Sequence, residues 1–264
     1  MADCDATARP SAAKPPVDRQ GVLVGTALAI GAAILLGALT QRLTGVGFAL
    51  IASPLLILIL GPLQGVVITN VFGIATASAV YLLHVREVEY AKVLPLLGAA
   101  AVAVVPGAML ARALPTPLLA IGAGSLTVLA LALSVFARRL PHVDAWPGRV
   151  VAGGLSGFMN VVAGVGGPAI TAYSIASEWE HRLFAISVQF YFAVLGLISF
   201  TVRGVLPAIA AVDWAVAVAA LAVGLLAGQL LGRWIPVRVA RRACLVLALL
   251  GGLAVIARGI LDVV

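Results

Sequence analysis

Polar side chains that could bind a solute lie inside otherwise apolar stretches of this sequence. They are four amides and one arginine: Gln41, Asn70, Asn160, Gln189 and Arg42. Amides donate and accept hydrogen bonds and an arginine supplies several N–H donors, so together these groups could surround a small anion. Alternatively, the amides hydrogen bond neighbouring helices and Arg42 extends its side chain to an aqueous surface. The residue types favour ligand binding over catalysis and leave these alternatives open.

Two glycine-rich elements, residues 45–47 and 164–168, follow Gln41 and Asn160. Pro168 suits the first turn of a helix, where its missing N–H costs nothing. The free N–H groups of a helix start carry partial positive charge and bind anions. Two such starts facing one cavity would suit a small oxyanion. The glycines of these elements therefore join the candidate substrate site: Gly45, Gly47, Gly164, Gly166 and Gly167.

Hydroxyl groups near these elements are weaker candidates. Thr44 and Tyr191 could contact the same ligand, but hydroxyls often hydrogen bond back to their own helix. Ser156 lies in Gly154-Leu155-Ser156-Gly157, which resembles the nucleophile box of rhomboid proteases. A serine nucleophile needs a histidine within hydrogen-bond reach, and all three histidines lie at segment ends or in connections: His84, His142 and His181. We therefore expect Ser156 to be a small packing residue and the protein not to be an enzyme.

The elements that must position these residues are membrane helices. The chain has 264 residues, of which 62% are hydrophobic and only 10% charged, whereas soluble domains carry about 25% charged residues. The net charge of +7 does not indicate nucleic acid, because the charges lie between apolar runs, where basic residues report topology. Barrel strands alternate polar and apolar residues, and these segments are apolar on every face. The predicted class is all-α.

Ten apolar segments are predicted, and the two glycine-rich elements stand where polar loops would otherwise separate them. The segments cover about residues 22–43, 46–60, 63–84, 91–111, 116–137, 150–163, 168–177, 183–202, 212–232 and 237–260. Cys4 lies in the polar N-terminal tail and Cys244 in an apolar run, so neither a disulfide nor a metal site is expected. No cofactor is predicted.

The two halves of the chain repeat each other. Gly45 and Gly164 are 119 positions apart. The same offset aligns amides with amides and aromatic residues with aromatic residues: Gln41 with Asn160, Asn70 with Gln189, and Phe72 with Tyr191. After a shift of two more residues, residues 107–115 match residues 228–236. These coincidences predict an internal repeat.

Basic residues predict the orientation of the repeats. The connections at 138–149 and 233–242 are arginine-rich and should be cytoplasmic. Two connections on the same side must be joined by an even number of membrane crossings. This condition is met if residues 150–177 enter the membrane and return to the same side as a hairpin. The halves are then two inverted five-segment repeats, each starting with an interrupted helical hairpin, as in secondary transporters. The predicted organisation is a disordered tail, a first repeat, a basic cytoplasmic connection and a second repeat: residues 1–20, 21–137, 138–149 and 150–264.

The glycine-rich elements resemble those of the sulfite exporter TauE/SafE family of membrane transporters. The resemblance rests on GVGFALIASPLL in the first half and GVGGPAITAY in the second, and Phe48 stands where the family often has another glycine. It implies a multi-pass transporter of sulfite, organosulfonates or related sulfur oxyanions in a bacterial cytoplasmic membrane. The expected partners are a small anionic substrate and the lipid bilayer, with no nucleic acid and with a homodimer left open.

Energetics favour export or facilitated flux. Moving one charge through 100 mV is worth about 2.3 kcal/mol, so an inside-negative cell expels anions without a coupling ion. No acidic residue lies well inside a predicted segment, which leaves no obvious proton site. Ion-coupled uptake and an anion channel are the alternatives.

Overall fold

The computed structural model describes residues 19–45, 47–139 and 146–263. Most of the predicted tail and residues 140–145 of the predicted basic connection lie outside these ranges. The described residues form nine α-helices and no strand: α1 (Arg19–Thr44), α2 (Phe48–Leu83), α3 (Tyr90–Ala113), α4 (Thr116–Phe136), α5 (Trp146–Ala163), α6 (Gly167–Ala176), α7 (His181–Arg203), α8 (Ala211–Leu231) and α9 (Val237–Leu261).

Seven of the described helices are long and apolar enough to cross a membrane. Helices α5 and α6 are not among them, because the 18 residues of α5 include Arg149 and Asn160 and α6 has only 10 residues. The all-α, polytopic class predicted from the sequence is confirmed.

Helix α2 is divided at Gly61, whose φ of 80° and ψ of 167° are not helical. In a continuous helix, Ile57 and Gly65 would be about 12 Å apart along the axis. Instead, a Cβ placed on Gly65 would lie 2.5 Å from the backbone N of Ile57. The chain therefore reverses at Gly61, and α2 consists of two arms, residues 48–60 and 62–83. Together with the other eight helices, the two arms give the ten segments expected from the sequence.

The short arms turn back on the helices that precede them. Arg149, near the start of α5, donates from Nε to the hydroxyl of Tyr173, near the end of α6, at 3.2 Å. In the first half, a Cβ on Gly37 of α1 would lie 3.0 Å from the Cβ of Ala52 in the first arm of α2. We call α1 with residues 48–60 the first hairpin, and α5 with α6 the second hairpin. Their tips are the elements at residues 45–47 and 164–166.

Each hairpin packs against a helix of the other half through aligned glycines. A Cβ on Gly228 of α8 would lie 2.7 Å from the Cβ of Arg42 in α1. A Cβ on Gly107 of α3 would lie 2.5 Å from Cγ1 of Val161 in α5, the residue 119 positions after Arg42. Small residues permit such close approach of membrane helices. Matching contacts of this kind are what the predicted repeat would produce, and the repeat and its inverted orientation in a bilayer stay predictions.

Basic side chains lie at both ends of α7, which at 23 residues is about as long as a bilayer is thick. At the start of α7, Arg182 pairs with Glu87 of the connection between α2 and α3. At the end of α7, Arg112 donates from Nη2 to the carbonyl oxygen of Arg203 at 3.0 Å. We call these the Arg182 end and the Arg203 end. The charge pattern predicts that the Arg182 end is cytoplasmic.

Candidate anion-binding site

A cavity of about 70 Å³ lies between the two hairpin tips and the long helices α2 and α7. At about 10–15 Å³ for each water-sized centre, it has room for about five non-hydrogen atoms, the size of a small oxyanion. Nine of the twelve residues predicted as a substrate site line it: Gln41, Gly45, Gly47, Asn70, Asn160, Gly164, Gly166, Gly167 and Gln189. The remaining wall is mainly apolar and includes Phe48, Ile74 and Phe192.

The helices leading into both tips end in the same way. Gly45 has φ of 81° and Gly164 has φ of 73°, a left-handed conformation that L side chains adopt only with strain. Each of these glycines donates its N–H to the carbonyl oxygen four residues earlier, on Gln41 and Asn160, both at 2.8 Å. This is the left-handed glycine cap that ends many helices. It explains why glycine follows each amide at a fixed distance.

The helices leaving both tips start without a side-chain cap. Gly47 precedes α2 and Gly166 precedes α6, and neither first turn contains an acidic residue. Phe48 and Gly167, the first residues of these helices, line the cavity. Each helix start carries roughly half a positive charge on its free N–H groups. Two partial positive charges therefore lie at one small cavity inside an apolar bundle.

The four amides contribute groups that can bind a ligand. Asn70, Asn160 and Gln189 are buried and Gln41 is partly buried. The Oδ1 atom of Asn160 is buried and accepts no hydrogen bond from any described residue. An unpaired polar atom in an apolar interior is costly, so the Asn160 side chain indicates that a ligand or water completes the site.

Arg42, Thr44 and Tyr191 do not line the cavity. Arg42 is exposed and packs against Gly228, about one turn before α8 ends at the Arg182 end of the bundle. This position fits the alternative in which the guanidinium reaches an aqueous surface. Thr44 donates to the carbonyl oxygen of Thr40 at 2.8 Å. This is the hydrogen bond back to its own helix that was expected as the alternative to ligand binding. Tyr191 is buried and packs edge-on against Phe192, with ring centroids 5.2 Å apart.

No charged side chain lies among the described residues that line the cavity. Its electrostatic character comes from helix starts and amides, with no formal charge in the lining. Any ion held there is bound by dipoles in an environment where charge–dipole interactions are strong because water is scarce.

The two tips differ in packing. Gly45 is exposed and no other described atom lies within 4 Å of the position of a Cβ on it. Gly164 is buried, and a Cβ there would lie 2.8 Å from Oγ of Ser53. The cavity is therefore open beside the first tip and closed beside the second. Because the first tip lies near Arg42, the open side faces the Arg182 end.

Two serine hydroxyls account for this difference, and sequence reasoning missed their role. Ser53 Oγ donates to the carbonyl oxygen of Ala163, and Ser156 Oγ donates to that of Gly166 at 2.8 Å. Both hydrogen bonds fix the position of the second tip. The repeat places Ala172 and Gly37 at the corresponding positions, so the first tip has no such hydroxyls. In the sequence, the two serines could have been noticed as positions where the predicted repeat aligns a hydroxyl residue with alanine or glycine.

Arg203 is a second residue that the sequence did not single out. It is only 1% exposed, although it lies just outside the predicted apolar segment 183–202. It donates from Nη2 to the carbonyl oxygen of Pro62 at 3.0 Å and from Nη1 to that of Val161. Arg203 thus satisfies carbonyls at the turn of α2 and near the end of α5, where helix ends lack internal partners.

The family model described as Sulfite exporter TauE/SafE matches residues 29–257, which include every described residue that lines the cavity. No curated protein and no solved structure matches the chain.

Proposed function

The chain belongs to the sulfite exporter TauE/SafE family, and we propose that it carries a small sulfur oxyanion, sulfite or an organosulfonate, through the cavity between the hairpin tips. The observation that carries this proposal is the meeting of two uncapped helix starts and four amides at one cavity. We further propose a bacterial cytoplasmic membrane as its location, with the Arg182 end inside.

The chemistry required is temporary replacement of the anion's water shell. Hydrogen bonds to a charged group contribute about 1.5–3 kcal/mol each, so several N–H donors from the tips and amides offset much of the lost hydration. The absence of a cationic side chain from the described lining suits transport, because binding must also be weak enough for release.

The asymmetry of the tips supports a carrier that opens at one side at a time. Its open side faces the proposed cytoplasm. Two hydroxyl hydrogen bonds hold the second tip closed, and at about 0.5–1.5 kcal/mol each they favour this state by about 1–3 kcal/mol. A bias of that size leaves the opposite state accessible during transport. Loading from the cytoplasm agrees with the proposed direction of export.

Efflux from proteoliposomes tests the function. Methanesulfonate or sulfite loaded inside should leave vesicles containing the protein in a saturable manner, faster when the membrane potential repels the anion. Gln189→Leu should lower this efflux by tenfold or more, because the loss of one hydrogen bond to an anion is worth about 1.5–3 kcal/mol.

Gln229→Leu provides the matched control, because Gln229 is exposed on α8 and lies outside the cavity lining. It should transport as well as the unmodified protein. Equal efflux from the Gln189 and Gln229 variants would contradict the site. Uptake that requires a sodium or proton gradient would contradict export, and flux without saturation would indicate a channel.

A further inference from the structure

We infer that the cavity accepts anions carrying a single negative charge and rejects dianions, so that hydrogen sulfite and monosulfonates are carried while the sulfite dianion and sulfate are not. This inference rests on the proposed function and assigns the charge state of the substrate. Three features support it: the charge of the lining, the cost of dehydration, and the unpaired oxygen of Asn160.

The positive charge available in the cavity is about one unit. The described lining contains no charged side chain. The two helix starts behind Gly47 and Gly166 contribute roughly half a charge each. Two arginines lie nearby but outside the lining: Arg42, which is exposed, and Arg203, whose Nη1 and Nη2 groups donate to two carbonyl oxygens. Neither supplies a direct contact to an anion in the cavity. The lining therefore neutralises one bound negative charge, and a second has no counterpart within it.

Dehydration strengthens this discrimination. The Born cost of moving an ion out of water grows with the square of its charge, so a dianion costs about four times as much as a monoanion of equal size. Its attraction to fixed dipoles only doubles, because that term is linear in charge. The wall beside the tips is apolar, with Phe48 and Phe192 in the lining, and it offers no further compensation.

The Oδ1 atom of Asn160 favours a protonated anion. It is a buried acceptor with no donor among the described residues, and the residue is only 5% exposed. Hydrogen sulfite carries a proton that Oδ1 can accept, whereas the sulfite dianion would place its own acceptors against it. A sulfonate has no such proton and gains no hydrogen bond from Oδ1.

Flux measurements with three anions test the inference. Methanesulfonate and sulfate are tetrahedral and of similar size, but the former is a monoanion and the latter a dianion near neutral pH. Sulfite changes from monoanion to dianion in the same range. Each is loaded as a radiolabelled salt into proteoliposomes, at concentrations below saturation, from about pH 6 to about pH 9.

We expect methanesulfonate efflux to be independent of pH and sulfate efflux to equal that of protein-free vesicles. Sulfite efflux should fall by about tenfold per pH unit above the second pKa of sulfurous acid, as the fraction of hydrogen sulfite falls. Methanesulfonate controls for effects of pH on the protein. Sulfite efflux that stays constant with pH, or sulfate efflux equal to that of methanesulfonate, would overturn the inference. Failure of all three anions to move would instead overturn the proposed function on which it rests.

The ratio of two effluxes through a single variant gives a second readout, and this ratio does not depend on the amount of folded protein. Asn160→Leu should lower the ratio of sulfite to methanesulfonate efflux by several-fold at low pH, because only hydrogen sulfite donates to Oδ1. An unchanged ratio would overturn the role assigned to Asn160.

Discussion

The packing difference between the two tips can be measured by placing the same methyl group at equivalent glycines. Gly45→Ala and Gly164→Ala both force alanine into a left-handed conformation, which costs roughly 1–2 kcal/mol. At Gly45 no other described atom lies within 4 Å of the new Cβ, but at Gly164 it would lie 2.8 Å from Oγ and 3.3 Å from Cβ of Ser53. Overpacking of this kind costs about 1–3 kcal/mol more.

Thermal unfolding of the purified variants in detergent provides the assay. For a chain of this size, 1 kcal/mol corresponds to about 2–4 °C in Tm. We expect Gly164→Ala to unfold several degrees below Gly45→Ala. Gly98→Ala is the control, because Gly98 is helical and a Cβ there would meet no described atom outside its own helix within 4 Å; it should not lower Tm. Equal losses at Gly45 and Gly164 would show that the second tip is not closed as described.

Three further predictions follow from single contacts. Arg203→Leu leaves two buried carbonyls unsatisfied, at about 1–3 kcal/mol each, so its Tm should fall well below that of Arg233→Leu, whose side chain is exposed. Glu180 accepts two N–H groups at the start of α7, and these hold the pKa of its carboxyl below the usual value. Its stabilisation is therefore complete above the unfolded pKa of about 4.3 and is lost as pH falls through the folded pKa; the Tm difference from Glu180→Gln should disappear in acid. In a cysteine-free background, a cysteine at Gln41 should react with a water-soluble maleimide, while one at the fully buried Ala163 should not; equal labelling would contradict the one-sided opening.

The positions of the chain breaks and of the amides and tip glycines of the cavity could be predicted from the sequence, because both depend on local chemistry. Glycine at residues 45 and 164 is needed for a left-handed cap, and an amide within an apolar run is conspicuous wherever it lies. The predicted repeat paired Gln41 with Asn160 and Asn70 with Gln189, and all four amides line the cavity.

Residues whose roles depend on distant partners could not be assigned in the same way. The position of Arg42 was undecided, because helix length placed it at an interface and the repeat placed it near the membrane centre. Its contact with Gly228, near the end of α8, favours the interface, and its depth in a bilayer stays a prediction. Arg203 follows directly after the predicted segment 183–202 and was therefore assigned to a connection, and its burial depends on carbonyls at residues 62 and 161 that no local pattern reveals.

The difference between the tips was also beyond local prediction. Both contain Gly-Val-Gly, so they look equivalent in the sequence. Their packing depends on Ser53, which lies 110 positions from the carbonyl it binds. A polar residue that breaks an internal repeat is therefore informative, since it marks where the two halves behave differently.

The location of the bound anion tests the central claim most directly. Selenite is the selenium analogue of sulfite, and anomalous scattering from a crystal of the protein grown with it would locate the ion without ambiguity. The account predicts one selenium peak in the cavity, within hydrogen-bond distance of the helix starts at Phe48 and Gly167 and of the Asn160 side chain. A peak at Arg42, with the cavity between the tips empty, would contradict it.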